Sequence, residues 1–335
     1  MTYNYRSIFK DEIQEYIQFR RDGGAKYSTP VNVLENFDLY LYNMNHLSKT
    51  LGRTDVMSFL ETHSNISMRT IEFKTNTLRG FLKYLKEIKG YKNIVMISTV
   101  PTNGKGSFIP YVFYEDEIAK ILYYARNYPQ QNSMNPNTKN IISCAITMLY
   151  CTGMRISELI NLKIEEVDLS NRIIYINEAK NDNKRIVTIS ESLYEECNRY
   201  IEESMKVSTS GIYFFDAGLS RNNGKITRDC IYRAFRNILK MSGIEHKGRG
   251  HGPRLHDLRV TFCCHSLKKL SNMNIDINNY LIYLSTYMGH KSLHETQYYL
   301  WLTSELFEDT LTKMEEYTYF IEDVFNEGVD SNEFI

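Results

Sequence analysis

The sequence predicts a mainly α-helical protein of two domains with one small β-hairpin, and three observations lead there. Apolar residues recur at helical spacing along most of the 335-residue chain. One stretch, RIIYINEAKNDNKRIVTI at 172–189, instead carries β-branched flanks around a turn-forming middle. Between two helical regions, residues 98–112, STVPTNGKGSFIPYV, combine two prolines, two glycines and small polar residues, which reads as a linker. The length suffices for two separate cores.

Residues 1–97 read as helices only. Thr29-Pro30 supplies a capping hydroxyl followed by proline at the first helical position, and Gly52 reads as the stop. Between them Leu34, Phe37, Leu41, Met44 and Leu47 repeat at helical spacing. A short helix is expected from Asp55 to His63 and a longer one from Ser67 to Lys89. The latter sets Ile71, Leu78, Phe81, Leu82 and Leu85 on one side. Around the rest stand Arg69, Lys74, Arg79, Lys83 and Lys86, either a solvated basic face or a set of contacts to DNA phosphates.

Beyond the linker, Tyr114–Tyr128 and Asn137–Cys151 read as helices, the second apolar enough to be a central one. Gly153 breaks it. The hairpin follows, with Lys180 near its tip. Ser190–Met205 and Thr227–Gly243 read as helices and Ile212–Phe215 as a short strand. A glycine-rich loop, KGRGHGP, precedes a helix starting near Arg254, and Asn278–Met288 and Leu293–Leu302 are the last core helices. Residues 305–326 space Phe307, Leu311, Met314, Ile321 and Phe325 for one apolar stripe.

With 42% hydrophobic and 24% charged residues the composition is that of a globular protein. No apolar run reaches the roughly 18 residues of a membrane span, and the start, MTYNYRSIFKDE, has no signal-peptide pattern, so a cytoplasmic protein is expected. Six cysteines form no C-x-x-C pair and read as buried, reduced thiols. A formal charge of zero hides an asymmetry. Residues 305–335 carry ten acidic residues and one lysine, which leaves 39 basic and 30 acidic residues before them, a net of +9. A basic body with an acidic tail admits a polyanionic partner.

Taken singly, an arginine after a helix or a tyrosine among apolar neighbours is structural more often than functional. Their order changes that weight. TGMRISEL at 152–159 contains Arg155; Lys180 stands five residues before Arg185; His256-Asp257-Leu258-Arg259 continues into Thr261-Phe262; and MGHKSLHETQYY places Tyr299 nine residues after His290. In these boxes residues 110–302 resemble the catalytic domain of the tyrosine recombinases, the phage-integrase family. Val260 departs from the pattern, since the family often has a second histidine there.

The resemblance implies a helical, SAM-like core-binding domain at 1–97, the linker 98–112, a catalytic domain at 113–304 and an acidic tail at 305–335 that could dock on a neighbouring protomer. It implies phosphoryl transfer in double-stranded DNA, with no metal, cofactor or ATP, through a 3′-phosphotyrosyl intermediate. Tyr299 would be the nucleophile, Arg155 and Arg259 the phosphate clamps, Lys180 the acid for the leaving 5′ oxygen, His256 the general base or acid, His290 a phosphate ligand, and Glu158 a support for Arg155. Adjacent residues on a helix point about 100° apart, so only one of Tyr298 and Tyr299 can face a phosphate. Family spacing selects Tyr299 and leaves Tyr298 for packing. Partners implied are specific recombination sites, a tetramer of this chain in the synapse and accessory DNA-bending or directionality proteins, in a bacterial mobile element. The alternatives are a type IB topoisomerase-like nicking and resealing activity and a DNA-binding relative without catalysis. A metal site from His290 with His294, or His251 with His256, lacks the H-E-x-x-H glutamate and any cysteine cluster.

Overall fold

The computed structural model describes residues 3–24, 27–62, 67–98, 109–129, 137–177, 184–204, 211–218, 224–248, 252–273, 277–290 and 292–306. The chain divides into two compact units, Met1–Phe108 and Ile109–Ile335.

The first unit holds α1 (Lys10–Asp22), α2 (Thr29–Asn43), α3 (Arg53–Glu61) and α4 (Met68–Glu87). Pro30 opens α2, and Ser67 caps α4 by accepting from the Thr70 N–H at 3.3 Å. The four helices close on one core that includes Phe9, Ile13, Leu34, Phe37, Phe59, Leu78, Phe81 and Leu85. The helix predicted from Thr29 to Gly52 ends early. Asn45 enters the left-handed region at φ 47°, His46 Nε2 bonds the Thr50 carbonyl at 2.7 Å, and Gly52 precedes α3 instead of stopping α2. Apolar spacing overran because Leu47, 84% exposed, joins no core. On α4, Arg69, Arg79, Lys83 and Lys86 are exposed, whereas Lys74 is buried with its ammonium 5.9 Å from the centre of the Phe59 ring.

The second unit is built around α6 (Thr138–Thr152), most of whose side chains are buried, Ile141, Ile142, Cys144, Ala145 and Ile146 among them. Against it lie α5 (Glu115–Arg126), α8 (Glu191–Ser204), α9 (Arg228–Met241) and α10 (Asp257–Asn272). Then come α11 (Ile277–Met288) and α12 (Leu293–Leu306), and α12 packs on α10 and α11. The short α7 (Ile156–Asn161) leads into an antiparallel sheet of β1 (Val167–Asp168), β2 (Ile173–Ile176) and β3 (Arg185–Thr188), ordered β1-β2-β3. The hairpin pairs Ile173 with Thr188 and Ile176 with Arg185. Its alternation buries Ile174, Ile176 and Val187, while β1, two residues long, is too short to leave a pattern in the sequence. The strand expected at Ile212–Phe215 reduces to one bridge, Lys163 with Tyr213. Cys144 and Cys197 are free thiols with sulfurs 3.8 Å apart. No described helix is long and apolar enough to cross a membrane. The hairpin tip with Lys180, and residues 307–335 with most of the predicted amphipathic segment, lie outside the described residues.

Candidate active site

Four turns of chain converge on one cationic centre. The first is the end of α6. Gly153 there adopts φ 61°, and an added Cβ would meet Phe262 Cδ1 at 2.6 Å, so both conformation and space require glycine. The tight turn presents the Gly153 carbonyl, which accepts from Arg259 Nη1 at 2.7 Å.

Two residues on, Arg155 caps α7. Its backbone N–H donates to Glu158 Oε2 at 2.8 Å, its Nη1 to Glu158 Oε1 at 3.0 Å and its Nη2 to the Gly289 carbonyl at 3.2 Å. Glu158 is buried and shared. Arg185, at the start of β3, donates from Nη1 to Oε1 at 3.0 Å and from Nη2 to Oε2 at 2.7 Å, while its Nε holds the Tyr287 carbonyl at 2.8 Å. Burial works against the charged carboxylate, yet the hydrogen bonds and charge of Arg185, joined by those of Arg155, hold Glu158 down at about 2. The Arg185 fork on one side of the carboxylate, and the Arg155 backbone and Nη1 on the other, thus tie α7 to the return strand of the hairpin.

The third contributor is α10. His256 stands at its N-cap, and Asp257 beside it is fully buried, accepting from the Arg254 backbone and side chain. Thr261 donates to the Asp257 carbonyl at 2.8 Å and accepts the Phe113 N–H at 3.1 Å, which anchors the first segment of this unit on α10. Arg259, only 2% exposed, reaches Gly153 O, Met288 O at 2.7 Å and His290 Nε2 at 3.0 Å.

The fourth is the turn between α11 and α12. Gly289, at φ 64°, bends the chain beside Arg185 and lets the His290 N–H return to the Ser285 carbonyl. The His290 ring lies 5.7 Å from the Tyr299 ring at 23°, a stack, and its Nδ1 sits 2.8 Å from Thr296 Oγ1. Tyr299 is buried, and that burial pushes its phenol up to about 12 against the opposing pull of Arg259.

The field of the centre is positive. Burial and then Arg259, Arg254, Arg155 and Arg228 lower His256 to about 4; burial and then Arg259, Arg155 and Arg185 lower His290 to about 3. Both imidazoles are neutral at neutral pH, and the uncompensated charge suits an incoming anion.

Of the residues singled out in sequence, Arg155, Glu158, His256, Arg259, His290 and Tyr299 therefore meet in this region. The expectation that Tyr298 packs is corrected: it is 39% exposed beside Trp301, and the inward face of α12 belongs to Tyr299. Sequence spacing places Arg185 in the hairpin but gives it no partner, and Thr296 escapes it altogether. An arginine opening a strand that runs into the core was the available clue to the first.

Residues 111–305 match the phage integrase family, more than half of the chain. The chain belongs to the phage integrase family. Over 323 residues it is 25% identical to a tyrosine recombinase XerC of Oceanobacillus iheyensis, covering 92% of this chain and 96% of that one. A tyrosine recombinase of Pseudothermotoga lettingae is 25% identical over 270 residues, 79% and 83% of the two chains. In fold the chain resembles a XerH site-specific recombinase bound to palindromic difH substrate, with TM-score 0.59 and 19% identity over 86% of this chain and 79% of that one. It also resembles the Tn1549 transposon integrase in complex with transposon right end DNA, with TM-score 0.59 and 18% identity over 86% and 94%. This integrase-family chain is a tyrosine-type, site-specific DNA recombinase.

Proposed function

We propose that Tyr299 is the nucleophile of this recombinase and that the cationic centre around it binds the scissile phosphate. The observation that carries the reading is the meeting of the buried Tyr299 with His290 and Arg259 on the inner side of α10 and α12, within a field set by several arginines. The Tyr299 oxygen attacks phosphorus, the bond to the 5′ oxygen breaks, and a 3′-phosphotyrosyl link remains. Because burial holds the phenol protonated at rest, its proton must leave during attack, and neutral His256 is the acceptor. The 5′ oxygen takes its proton from Lys180. Arg155 and Arg259 fork across the non-bridging oxygens, where charge gathers in the transition state, His290 supports them, and Glu158 keeps Arg155 in place. Attack by a 5′ hydroxyl reverses the step with bond energy conserved.

The finer substrate is a pair of specific duplex sites, held by a tetramer of this chain and exchanged for integration or excision of a mobile element. In the first unit Arg69, Arg79, Lys83 and Lys86 supply contacts to the DNA backbone. Incubation with a nicked suicide duplex tests the chemistry. Wild type and Tyr298→Phe should form a covalent adduct on a denaturing gel and Tyr299→Phe none; an adduct persisting in Tyr299→Phe would overturn the assignment. Products that form only when two sites are present support recombination over nicking and resealing of a single duplex.

A further inference from the structure

Thr296 is fully buried in the first turns of α12, one helical step of three residues before Tyr299, so both side chains lie on the same side of the helix. Its Oγ1 is 2.8 Å from Nδ1 of His290, and on the other side of the ring Arg259 Nη2 is 3.0 Å from Nε2. A guanidinium has donors and no acceptor. The hydrogen bond at Nε2 therefore runs from Arg259 into the imidazole lone pair, and the single proton of the neutral ring belongs on Nδ1. Nδ1–H then donates to the Thr296 hydroxyl. The other tautomer would set two N–H groups against each other at Nε2 and leave an Nδ1 lone pair to be met by the hydroxyl hydrogen. The depressed basicity of His290 agrees with a neutral ring.

We propose that Thr296 is a positioning residue for DNA cleavage: by accepting the Nδ1–H of the tautomer that Arg259 selects, it holds the His290 imidazole in place against Arg259 and stacked on the ring of Tyr299. One hydroxyl thereby links the turn that carries the histidine to the helix that carries the nucleophile. The effect on rate rests on the proposed roles of Arg259, His290 and Tyr299; the hydrogen bond to His290 does not. Thr296→Val keeps the shape of the side chain and removes the hydroxyl, whereas Thr296→Ser keeps the hydroxyl.

The test uses the full chain labelled with 15N at histidine, with the His290 resonances identified by their loss in His290→Gln. In wild type Nδ1 should show the protonated and Nε2 the unprotonated nitrogen shift. Thr296→Val should leave the proton on Nδ1 but remove its acceptor, shifting the His290 Nδ1 resonance and speeding exchange of that proton with water, with the remaining histidine signals unchanged, and slow adduct formation about three- to tenfold, the reach of one net hydrogen bond. Thr296→Ser should restore both. A wild-type His290 protonated on Nε2, a Thr296→Val protein with an unchanged His290 Nδ1 resonance, or an altered resonance with an unchanged cleavage rate would each overturn the proposal. Wild-type protein that forms no adduct while its His290 Nδ1 resonance still answers to Thr296→Val would instead strike the proposed function and leave the hydrogen bond standing.

Discussion

The two units of this recombinase handle positive charge in opposite ways. On α4 of the first unit, Arg69, Arg79, Lys83 and Lys86 stand in solvent, and Lys83 pairs at 3.6 Å with Glu87 one turn away. In the second unit Arg259 and Arg185 are withdrawn from water and gripped by carbonyls and by one buried carboxylate. Exposed charges act through a screened field that reaches about 8 Å at physiological salt. Buried forks act through fixed geometry. Under the proposed function the long basic helix would hold a polyanion in many registers, while the inner site would grip one phosphate in one orientation.

The sharpest way to break this comparison is to exchange arginine for lysine in both places. Arg259→Lys keeps the charge and loses the fork, and adduct formation should fall on the order of 100-fold. Arg79→Lys should leave it within about twofold, since an exposed phosphate contact needs only charge. Parallel single-turnover cleavage assays check the pair, and similar losses in both variants would erase the distinction.

Glu158→Gln should come next. It leaves Arg185 and Arg155 facing a neutral amide in a buried site, and breaking such a pair typically costs about 3–5 kcal/mol. Urea unfolding should show the loss, whereas Glu87→Gln on exposed α4 should change stability by under about 0.5 kcal/mol.

pH gives a third contrast. The folded protein holds His256 at about 4, below its ordinary value of 6.5. Between those values the unfolded chain binds more protons, so this group's contribution is intact above pH 6.5 and is lost as pH falls toward 4. Stability measured across that interval should slope less steeply in His256→Gln. Glu158, lowered to about 2, continues the loss at more acid pH, below its ordinary value of 4.5. The smallest effect belongs to the outer face: Lys83→Ala or Lys86→Ala should weaken DNA binding a few-fold and reduce the logarithmic salt slope by about 1 each, and Lys74→Met, over the Phe59 ring, should leave the slope unchanged.

Much of the fold was legible because local chemistry and tertiary packing agree. Pro30, Ser67 and Thr227 mark helix starts, although Thr29 is the first residue of α2 behind Ser28 and not its cap; Thr227 accepts from the Cys230 N–H at 3.3 Å. The motif residues of the site were legible through their order along the chain. What escaped depends on distance in space. Asn45, a residue that tolerates the left-handed turn ending α2, is outweighed in sequence by apolar spacing that continues past the end of the core. Lys74 resembles its neighbours on α4 until Phe59, from α3, turns out to lie beneath it. Arg185 and Glu158 are 27 residues apart and become partners only when the hairpin closes on α7. Thr296 gains its role from a histidine oriented by Arg259.

The grip on Arg259 by the carbonyls of Gly153 and Met288 has a practical consequence. Carbonyls orient a guanidinium without neutralising it, so under the proposed function its charge is left for a small tetrahedral oxyanion. Sulfate or inorganic phosphate in a buffer should compete with DNA at this point, beyond what their ionic strength explains, and chloride at equal ionic strength is the control. The choice of buffer anion is therefore part of any measurement of this enzyme's cleavage rate.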